Sequence, residues 1–436
     1  MKIKAKTSTY DQIMAMEPFK NKRPEPQGAI WRKIIKLASA KDLKKVGFEV
    51  KRIGMEKLGD EPCLFLMNHS SFIDLEIAGT IIYPRPYHIV CTLDGFVGKE
   101  GLMRKIGCIP TRKFMMDTSL VRDLIYTAKE LKESILLYPE ASYTFDGTAT
   151  PLPESLGKLA KMLDIPIVMI RTYGAFARDP LYNGLQIRDV KVTADMKYLL
   201  SKEEIKAKSV SEINDILAAE FTFDNFAWQK ESGTIIDEPF RADGLERVLY
   251  KCPCCMTEGE MEGKGIYLKC KSCGATFELT ELGELKPIEL DMAAAMKAEV
   301  VVGKPFLEVF NHVPYWYAWE REEVRKEIEE GTYRMEFPVD IIALVNTDAV
   351  YRIGEGTLTH DVNGFRLTGC DGALDYTQAP EASYSLYSDY FWYEIGDMIS
   401  IGTPRIQYYC FPKVDGANVA KARLATEEMY KKKKKK

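Results

Sequence analysis

Hydrophobic and polar positions alternate in a different way in each part of the chain. Between Gly47 and about Val192, short apolar runs of strand length alternate with stretches of helical periodicity. The predicted buried strands are Pro62–Met67, Tyr87–Thr92, Ser134–Tyr138 and Ile165–Arg171, and the predicted crossover helices are Leu120–Lys132 and Leu156–Leu163. Alternation of strands and helices of these lengths indicates an α/β domain with a largely parallel sheet.

The stretch before this domain, Gln27–Val46, has helical periodicity. Its apolar positions are interleaved with lysines and arginines, and Trp31 and Ile35 widen the apolar stripe. A basic amphipathic helix of this kind can lie in a membrane interface with Trp31 near the headgroups. Equally, it can dock on its own domain.

Beyond about Lys286 the pattern changes to aromatic and β-branched runs of strand length. A charged helix, Trp316–Gly331, precedes about seven strand candidates, and Asn363-Gly364 between two of them predicts a hairpin. An Ala/Lys/Glu-rich helix, Ala417–Tyr430, closes the region. This order of elements resembles a PH-like or GRAM-like module. His360, next to the predicted hairpin turn, is expected at the surface.

We therefore predict five parts for this chain of 436 residues, which is longer than one core usually supports. They are a basic amphipathic segment (1–46), an α/β domain (47–245), a cysteine-rich unit (246–285), a β-rich C-terminal domain (286–430) and a lysine tail (431–436).

Charge is distributed unevenly along the chain. Residues 1–60 carry 15 Lys/Arg against 7 Asp/Glu, and the chain ends in six lysines, although the net charge is −4. The intervening body is therefore acidic, which disfavours a nucleic-acid groove and favours basic ends that contact an anionic lipid surface. No apolar run reaches the ~18–20 residues of a membrane-spanning helix, and no signal peptide is recognisable. The lysine tail itself carries no structural information.

Five of the ten cysteines lie between Cys252 and Cys273. They form two C-x2-C knuckles that can place four thiolates around one ion, which is typical of a zinc ribbon. The predicted ligands are Cys252, Cys255, Cys270 and Cys273, with Cys254 as a possible substitute. A closed four-thiolate site is structural. Because Met256–Leu282 contains several glutamates and few basic residues, the ribbon is expected to brace domains or dock a protein rather than follow a phosphate backbone.

His69 is the strongest candidate for catalysis. It follows the apolar run Cys63–Met67, and the carboxyl end of a parallel strand is where α/β sheets place their active sites. Asp74 stands five residues on, with Ser71 at the spacing of a helix-capping pair. A carboxylate in this position can hold the imidazole in one tautomer, so His69 is predicted to be a general base. A capped helix beside an incidental histidine is the structural alternative.

Four motifs in order resemble the PlsC-like glycerolipid acyltransferases over about Gly47–Val192. The first is Asn-His-x4-Asp at Asn68–Asp74, and the second is a glycine and apolar residues that lead to Arg112 and Lys113. The third, Tyr138–Thr144, is similar to Phe-Pro-Glu-Gly-Thr-Arg-Ser, and Ile165–Val168 matches the fourth. The resemblance implies that His69 is the general base, that Asp74 orients it, and that Arg112, Lys113, Glu140 and Ser142 bind the acceptor's glycerol and phosphate.

Two departures from the family pattern concern the third motif. Tyr143 replaces the arginine that the resemblance would assign to the acceptor phosphate, and Ala141 replaces a glycine. A phenol donates one neutral hydrogen bond where a guanidinium offers a charged fork. Arg112 and Lys113 are the predicted compensation, unless the acceptor is not a simple phosphomonoester.

The resemblance thus implies an O-acyltransferase. It would move a fatty acyl group from acyl-CoA or acyl carrier protein to the hydroxyl of a lysophospholipid such as 1-acylglycerol-3-phosphate. We expect a cytoplasmic protein held peripherally on the inner face of the membrane, with a structural zinc ion and no nucleic-acid partner. The alternative is a zinc-ribbon adaptor whose acyltransferase-like domain is degenerate and binds lipid without turnover.

Overall fold

The computed structural model describes residues 3–115, 117–289, 305–414 and 418–434. The chain begins with β1 (Lys6–Thr7), α1 (Tyr10–Ala15) and α2 (Ala29–Lys45). β1 pairs in parallel with a strand of the C-terminal domain, at Tyr351 and Arg352. The N-terminal segment therefore contacts the last domain before it reaches the first.

The α/β domain follows, and its helices cover both faces of one sheet. Its elements are β2 (Glu49–Ile53), β3 (Leu64–Met67), α3 (Ile73–Ile81), β4 (Tyr87–Thr92), α4 (Glu100–Lys105), β5 (Cys108–Thr111), α5 (Thr118–Tyr126), β6 (Ser134–Leu137), α6 (Leu156–Leu163), β7 (Ile167–Tyr173), α7 (Ala175–Arg178), β8 (Thr193–Leu200), α8 (Lys202–Ala207), α9 (Val210–Phe221) and α10 (Asn225–Ser232).

The strand order in this sheet is β2-β8-β7-β3-β6-β4-β5. All neighbours are parallel except β7 and β8, so the predicted largely parallel sheet is confirmed. β3, which delivers His69, lies at the centre with β6 beside it and parallel to it. Because parallel strands end at the same edge, the first and third motifs are brought together there.

α2 docks on this domain and also leaves part of its apolar surface exposed. Ser39 and Leu43 are buried, and a side chain at Gly79 of α3 would lie 2.5 Å from Ile35, so the two helices approach closely at this glycine. On the outer side, the exposed fractions are 74% for Ile30 and 64% for Leu37. The helix thus packs on the α/β domain through one face and exposes apolar residues among lysines on another.

The cysteine-rich unit is a four-stranded antiparallel sheet in the order β12-β11-β10-β9. Its strands are β9 (Met261–Lys264), β10 (Tyr267–Cys270), β11 (Thr276–Leu279) and β12 (Leu285–Glu289), so the sheet continues beyond residue 285. The backbone N–H of Ile236 from the α/β domain donates to the Glu281 carbonyl at 2.9 Å. Phe277 of the unit packs edge-on against Trp316 of the C-terminal domain, with ring centroids 5.0 Å apart. The unit therefore braces the two larger domains.

The C-terminal domain is a continuous antiparallel sheet, with helices before its first strand and after its last strand in the sequence. Its elements are α11 (Phe306–Phe310), α12 (Val313–Glu330), β13 (Arg334–Leu344), β14 (Tyr351–Asp361), β15 (Gly364–Gly369), β16 (Leu374–Gln378), β17 (Tyr387–Trp392), β18 (Gly396–Gly402), β19 (Gln407–Pro412) and α13 (Val419–Lys434). The strand order β16-β15-β14-β13-β19-β18-β17 makes β13 the partner of both β14 and β19. The predicted hairpin at Asn363 and the glycine at the end of α12, Gly331 with φ of 75°, are confirmed.

Two sequence-based expectations, the position of His360 and the separate lysine tail, differ from the structure in this region. His360 is buried, not at the surface: it stacks on Phe365 at 3.6 Å, and its Nδ1 lies 2.9 Å from the Tyr333 hydroxyl. The lysine tail continues α13 as far as Lys434, and residues 435–436 lie outside the described residues, as do 290–304 of the predicted C-terminal domain. α13 is buried along most of its length, so it is a core helix of the molecule.

Candidate functional site

The first and third motifs meet at the carboxyl edge of β3 and β6. His69 Nδ1 lies 3.1 Å from Asp74 Oδ2, and that oxygen also accepts hydrogen bonds from the backbone N–H groups of Ser70 (2.7 Å) and Ser71 (3.0 Å). A carboxylate oxygen that accepts from two N–H groups orients Nδ1 as a third donor, which leaves Nε2 to take up a proton. Asp74 is fully buried.

Only the carboxylate half of the predicted Ser71–Asp74 capping pair forms. α3 begins at Ile73 with Phe72 at the N-cap position, and its cap makes no side-chain hydrogen bond. Instead, the Asp74 carboxylate turns back on the preceding loop and holds the backbone N–H groups of Ser70 and Ser71. The bond to the Ser71 N–H is the one that the acidic member of a capping pair makes, and Asp74 lies in the first turn of α3, where the spacing of such a pair places it.

The imidazole of His69 is held between two tyrosine rings. Tyr138 stacks on it with ring centroids 4.2 Å apart, and Tyr143 lies on it at 4.1 Å. Only 15% of the His69 side chain is exposed. Burial lowers the pKa of His69 from its ordinary value, whereas the hydrogen bond that His69 donates to Asp74 raises it and the charge of Lys113 lowers it further. A lowered pKa keeps the imidazole neutral and ready to accept a proton near neutral pH.

Glu140 ties the two motifs together. Its Oε1 accepts from the backbone N–H of His69 at 3.1 Å, and its Oε2 accepts from the N–H (2.8 Å) and hydroxyl (3.1 Å) of Thr150. Burial raises the pKa of Glu140 to about 7, and these hydrogen bonds act in the opposite direction. Because both oxygens are engaged by the protein, Glu140 acts here as a brace for the His69 loop; its predicted substrate contact stays a prediction.

Ala141 occupies the position where the family pattern has glycine, and its φ is 54°. This left-handed conformation has a steric cost for any residue with a Cβ, which explains the usual glycine. The turn nevertheless brings the Tyr143 ring against the imidazole. The Ser142 hydroxyl donates to the Tyr143 carbonyl at 3.2 Å.

The two basic residues of the second motif lie at β5, on the edge of the sheet, and differ in their surroundings. The Lys113 ammonium is 4.2 Å above the Tyr387 ring of the C-terminal domain, and burial lowers its pKa. The Arg112 guanidinium lies 5.9 Å from the Phe19 ring, and burial lowers its pKa as well. Of the two, Lys113 is the one whose charge reaches His69.

The structure adds a residue that sequence reasoning did not find. Arg423 of α13 donates from Nη1 to the Ser142 hydroxyl at 3.3 Å and to the Tyr143 carbonyl at 3.4 Å. Ser142 and Arg423 are 281 positions apart in the chain. A buried arginine in a predicted Ala/Lys/Glu-rich helix is no signal by itself, because its partner is set by how the domains dock.

The four predicted cysteine ligands converge within the cysteine-rich unit. Their sulfur atoms lie within 4.8 Å of one another, with Cys252–Cys273 at 3.7 Å and Cys255–Cys270 at 3.6 Å. Tetrahedral coordination with Zn–S bonds of about 2.3 Å requires S–S separations of about 3.8 Å. The donor set therefore fits a zinc ion. The backbone N–H of Cys254 donates to the Cys252 sulfur at 3.4 Å, which places Cys254 in a supporting role.

Among the described residues, no helix combines the length and apolar character that a bilayer-spanning segment needs. Comparison with known proteins gives a family for the α/β domain. Residues 49–172 match the model of a family described as Acyltransferase. No curated protein matches the chain.

Among solved structures, the chain is similar to that of the 1-acyl-sn-glycerophosphate (LPA) acyltransferase PlsC from Thermotoga maritima. The match has 15% sequence identity and a TM-score of 0.34, and it covers 44% of this chain and 81% of that one. The family match spans all of the first three motifs and ends after the fourth. Residues 49–172 are therefore similar to the family described as Acyltransferase, in agreement with the resemblance that the four sequence motifs carry.

Proposed function

We propose that the protein transfers a fatty acyl group from a thioester donor, acyl-CoA or acyl carrier protein, to the hydroxyl of a lysophospholipid such as 1-acylglycerol-3-phosphate. The observation that carries this proposal is the 3.1 Å contact between His69 and Asp74 at the edge of a domain matched to acyltransferases. His69 and Asp74 are the proposed base and orienting carboxylate.

In the proposed reaction, the acceptor hydroxyl gives its proton to His69 Nε2 as its oxygen attacks the thioester carbonyl carbon. The resulting tetrahedral intermediate collapses, the carbon–sulfur bond breaks, and the thiolate takes the proton from His69. The Asp74 carboxylate stabilises the imidazolium during these steps. The step needs no covalent enzyme intermediate and no metal ion, and the four-cysteine site, with zinc as its proposed ion, has a structural role.

The test is acyl transfer from acyl-CoA and from acyl carrier protein across a panel of lysolipids, followed by mass spectrometry. We expect product with the wild type and none above background with His69→Ala, whose thermal unfolding should resemble that of the wild type. Full activity in the His69→Ala variant would exclude this histidine as the base. A folded wild type that acylates no member of the panel would favour the alternative, an adaptor with a degenerate lipid-binding domain.

We also propose peripheral binding to the anionic inner face of the membrane through α2. Its exposed Ile30, Ile34 and Leu37 lie among lysines, and exposed Phe72, at the N-cap position of α3, lies 5.6 Å from the Tyr143 ring. Apolar insertion combined with basic charge is the usual basis of interfacial binding, and it weakens as salt increases.

The matched test of membrane binding uses Ile30→Gln/Leu37→Gln and, as a control, Ile235→Gln, since Ile235 is 65% exposed on a loop elsewhere. We expect the double variant to sediment less with phosphatidylglycerol vesicles and the control to match the wild type. Equal binding by all three proteins would remove α2 from the membrane contact.

For the C-terminal domain, we propose a PH-like or GRAM-like module. The support is its order: a four-stranded meander, a three-stranded meander whose last strand pairs with the first strand of the domain, and a final helix. We also propose the division of the chain into the five parts that the sequence predicts, with the sheet of the cysteine-rich unit extended to Glu289.

A further inference from the structure

A buried arginine, Arg178, joins α2 to the end of α7. It is the last residue of α7, and only 3% of it is exposed. Its Nη2 donates to Asp42 Oδ2 of α2 at 2.7 Å, and its Nη1 lies 3.2 Å from Asp179 Oδ2. A guanidinium between two carboxylates is held in one orientation. Arg178 and Asp179 lie outside the four motifs and beyond residues 49–172, so the family match gives them no role.

The strand that leads into α7 is bonded to the first motif. The backbone N–H of Thr172 in β7 donates to Asn68 Oδ1 at 2.9 Å, and Asn68 Nδ2 donates to the Thr172 hydroxyl at 3.1 Å. Ala175 of α7 and Ile73 of α3 belong to the same buried apolar cluster. These contacts hold β7 and α7 beside the first motif.

Asp179 is a buried carboxyl group within electrostatic range of Asp74. Burial raises the pKa of Asp179 to about 7, the charge of Arg178 and the Ser71 hydroxyl lower it, and the charge of Asp74 raises it. The two carboxyl groups therefore repel each other when both are ionised, and Arg178 is the cation that offsets this repulsion.

Arg178 also acts on Glu76 of α3. Burial raises the pKa of Glu76, the charge of Asp42 raises it further, and the charge of Arg178 lowers it. One guanidinium thus acts on carboxyl groups of α2 and α3 and on Asp179, which follows α7. Its removal would leave these groups without its compensating charge in a buried region, where such charge is costly.

The orientation of Asp74 depends on one of its two oxygens. Oδ2 accepts from the Ser70 and Ser71 N–H groups and contacts His69, whereas Oδ1 has no hydrogen-bond partner among the described residues. Within the same described part of the chain, Ser71 Oγ and Asp179 Oδ1 are buried and also lack a partner. A carboxylate that is held on one side only can turn away from the imidazole when a neighbouring charge repels it.

We propose that Arg178 is a positioning residue for the His69–Asp74 pair: by neutralising Asp179, it keeps the Asp74 carboxylate against the imidazole. Asp42 holds the same guanidinium from α2. The helix proposed to bind the membrane and the proposed catalytic pair therefore share one network of ion pairs. The inference rests on the proposed function for the role of His69 as the base.

The experiment measures the pKa of His69 directly, by NMR titration of the imidazole C–H signals in the full-length protein. The chain has four histidines, so His69→Ala assigns the signal. The proteins compared are the wild type, Arg178→Gln, Arg178→Lys, Arg178→Gln/Asp179→Asn and Asp42→Asn. Arg104→Gln is the matched control, because the Arg104 side chain is only 12% exposed and pairs with Glu100 on α4 at 2.8 Å. Thermal unfolding, kcat and KM are measured on the same proteins, with acyl-CoA and 1-acylglycerol-3-phosphate.

Asp74 raises the pKa of His69, so a weaker contact between them should lower this pKa. We expect Arg178→Gln to lower the His69 pKa, in the direction expected for Asp74→Asn, and to reduce kcat by about 10- to 100-fold with KM near that of the wild type. Arg178→Lys should recover part of both losses, because it keeps the charge but not the fork.

The double variant Arg178→Gln/Asp179→Asn should lie closer to the wild type than Arg178→Gln does, because the carboxylate that repels Asp74 is removed together with its cation. Asp42→Asn should give a smaller shift of the His69 pKa in the same direction, since the guanidinium keeps one of its two carboxylates. Arg104→Gln should leave the His69 pKa unchanged.

An unchanged or higher His69 pKa in folded Arg178→Gln would overturn the proposal. Local loss of structure would expose the imidazole and return its pKa toward the ordinary 6.5, and a direct charge effect would also raise it. A double variant as impaired as Arg178→Gln would contradict the role of Asp179. If Arg178→Gln does not fold, a His69 pKa equal to that of the wild type in both Arg178→Lys and Asp42→Asn would reject the positioning role.

The proposed function fails separately from this inference. A wild type that transfers no acyl group, but whose His69 pKa falls in Arg178→Gln and recovers in the double variant, would keep the positioning of Asp74 and lose the acyltransferase.

Discussion

The four-cysteine site and the His69 site are assembled over very different lengths of chain. All four cysteines lie between Cys252 and Cys273, on two turns and the strands of one small sheet. The His69 site combines the ends of β3 and β6 with α13, and two of its contacts join residues 281 and 280 positions apart. A metal site can be fixed by local spacing, whereas a catalytic site in an α/β fold depends on strand order and domain docking.

The first prediction tests the contact between His69 and Asp74, which are only five positions apart in the chain. Asp74→Asn should lower kcat for acyl transfer by about 10²- to 10⁴-fold, because the amide no longer fixes the tautomer or stabilises the imidazolium. Steady-state rates with a thioester donor measure this effect. Asp164→Asn is the control: Asp164 ends α6 in a left-handed conformation that asparagine tolerates, and it should leave the rate unchanged. A rate near that of the wild type in Asp74→Asn would show that the pair has no catalytic role.

The second prediction concerns the cysteine site. Cys270→Ser should abolish stoichiometric zinc and lower the free energy of unfolding by about 3–5 kcal/mol, since a structural zinc ion contributes folding energy directly. Metal analysis and thermal unfolding are the measurements. Cys254→Ser should keep the zinc ion, because its side chain is outside the cluster. Zinc loss in Cys254→Ser, or retention in Cys270→Ser, would reverse the ligand assignment.

The third prediction is the pH dependence of kcat/KM. His69 must be neutral to accept a proton, and burial lowers its pKa below the ordinary 6.5. As the pH is lowered, kcat/KM should therefore stay constant down to pH 6.5 and decrease only at lower pH. Asp74 raises this pKa, so in the residual activity of Asp74→Asn the acid limb should lie at still lower pH. An acid limb that moves upward in Asp74→Asn would contradict the electrostatic account.

The smallest expected effect is at Ala141. Its φ of 54° is unfavourable for a residue with a Cβ, so Ala141→Gly should stabilise the fold by up to about 1 kcal/mol, after the gain in unfolded-state freedom is subtracted. Chemical denaturation measures the change. Ala160→Gly within α6 provides the opposite case and should destabilise the protein. Destabilisation in Ala141→Gly would mean that the turn does not need the left-handed conformation.

Local patterns predicted most of the elements. The run Ser134–Tyr138 became β6 (Ser134–Leu137), and Leu156–Leu163 became α6 without change of bounds. Periodicity is a property of neighbouring residues, so it survives folding. The prediction that His360 lies at the surface was wrong because it used only the position of this residue beside a turn. Whether a side chain of the hairpin is covered depends on how the hairpin packs, and Tyr333 packs edge-on against His360.

For α2, the sequence left two interpretations equally open. The structure shows the helix docked through Ile35 and Leu43, and it also leaves Ile30 and Leu37 exposed. An amphipathic pattern indicates that a helix has an apolar stripe. It does not predict how much of that stripe a neighbouring helix covers.

The sequence by itself determined motifs similar to those of acyltransferases, the pairing of His69 with Asp74, and a four-cysteine cluster that fits a metal ion, because each depends on residues that lie close together along the chain. Only the tertiary structure decided the central place of β3, the bracing position of the ribbon and the presence of Arg423 at the third motif. These features depend on which surfaces of separate domains fit together, and that fit is a property of packing and shape that spacing along the chain does not encode.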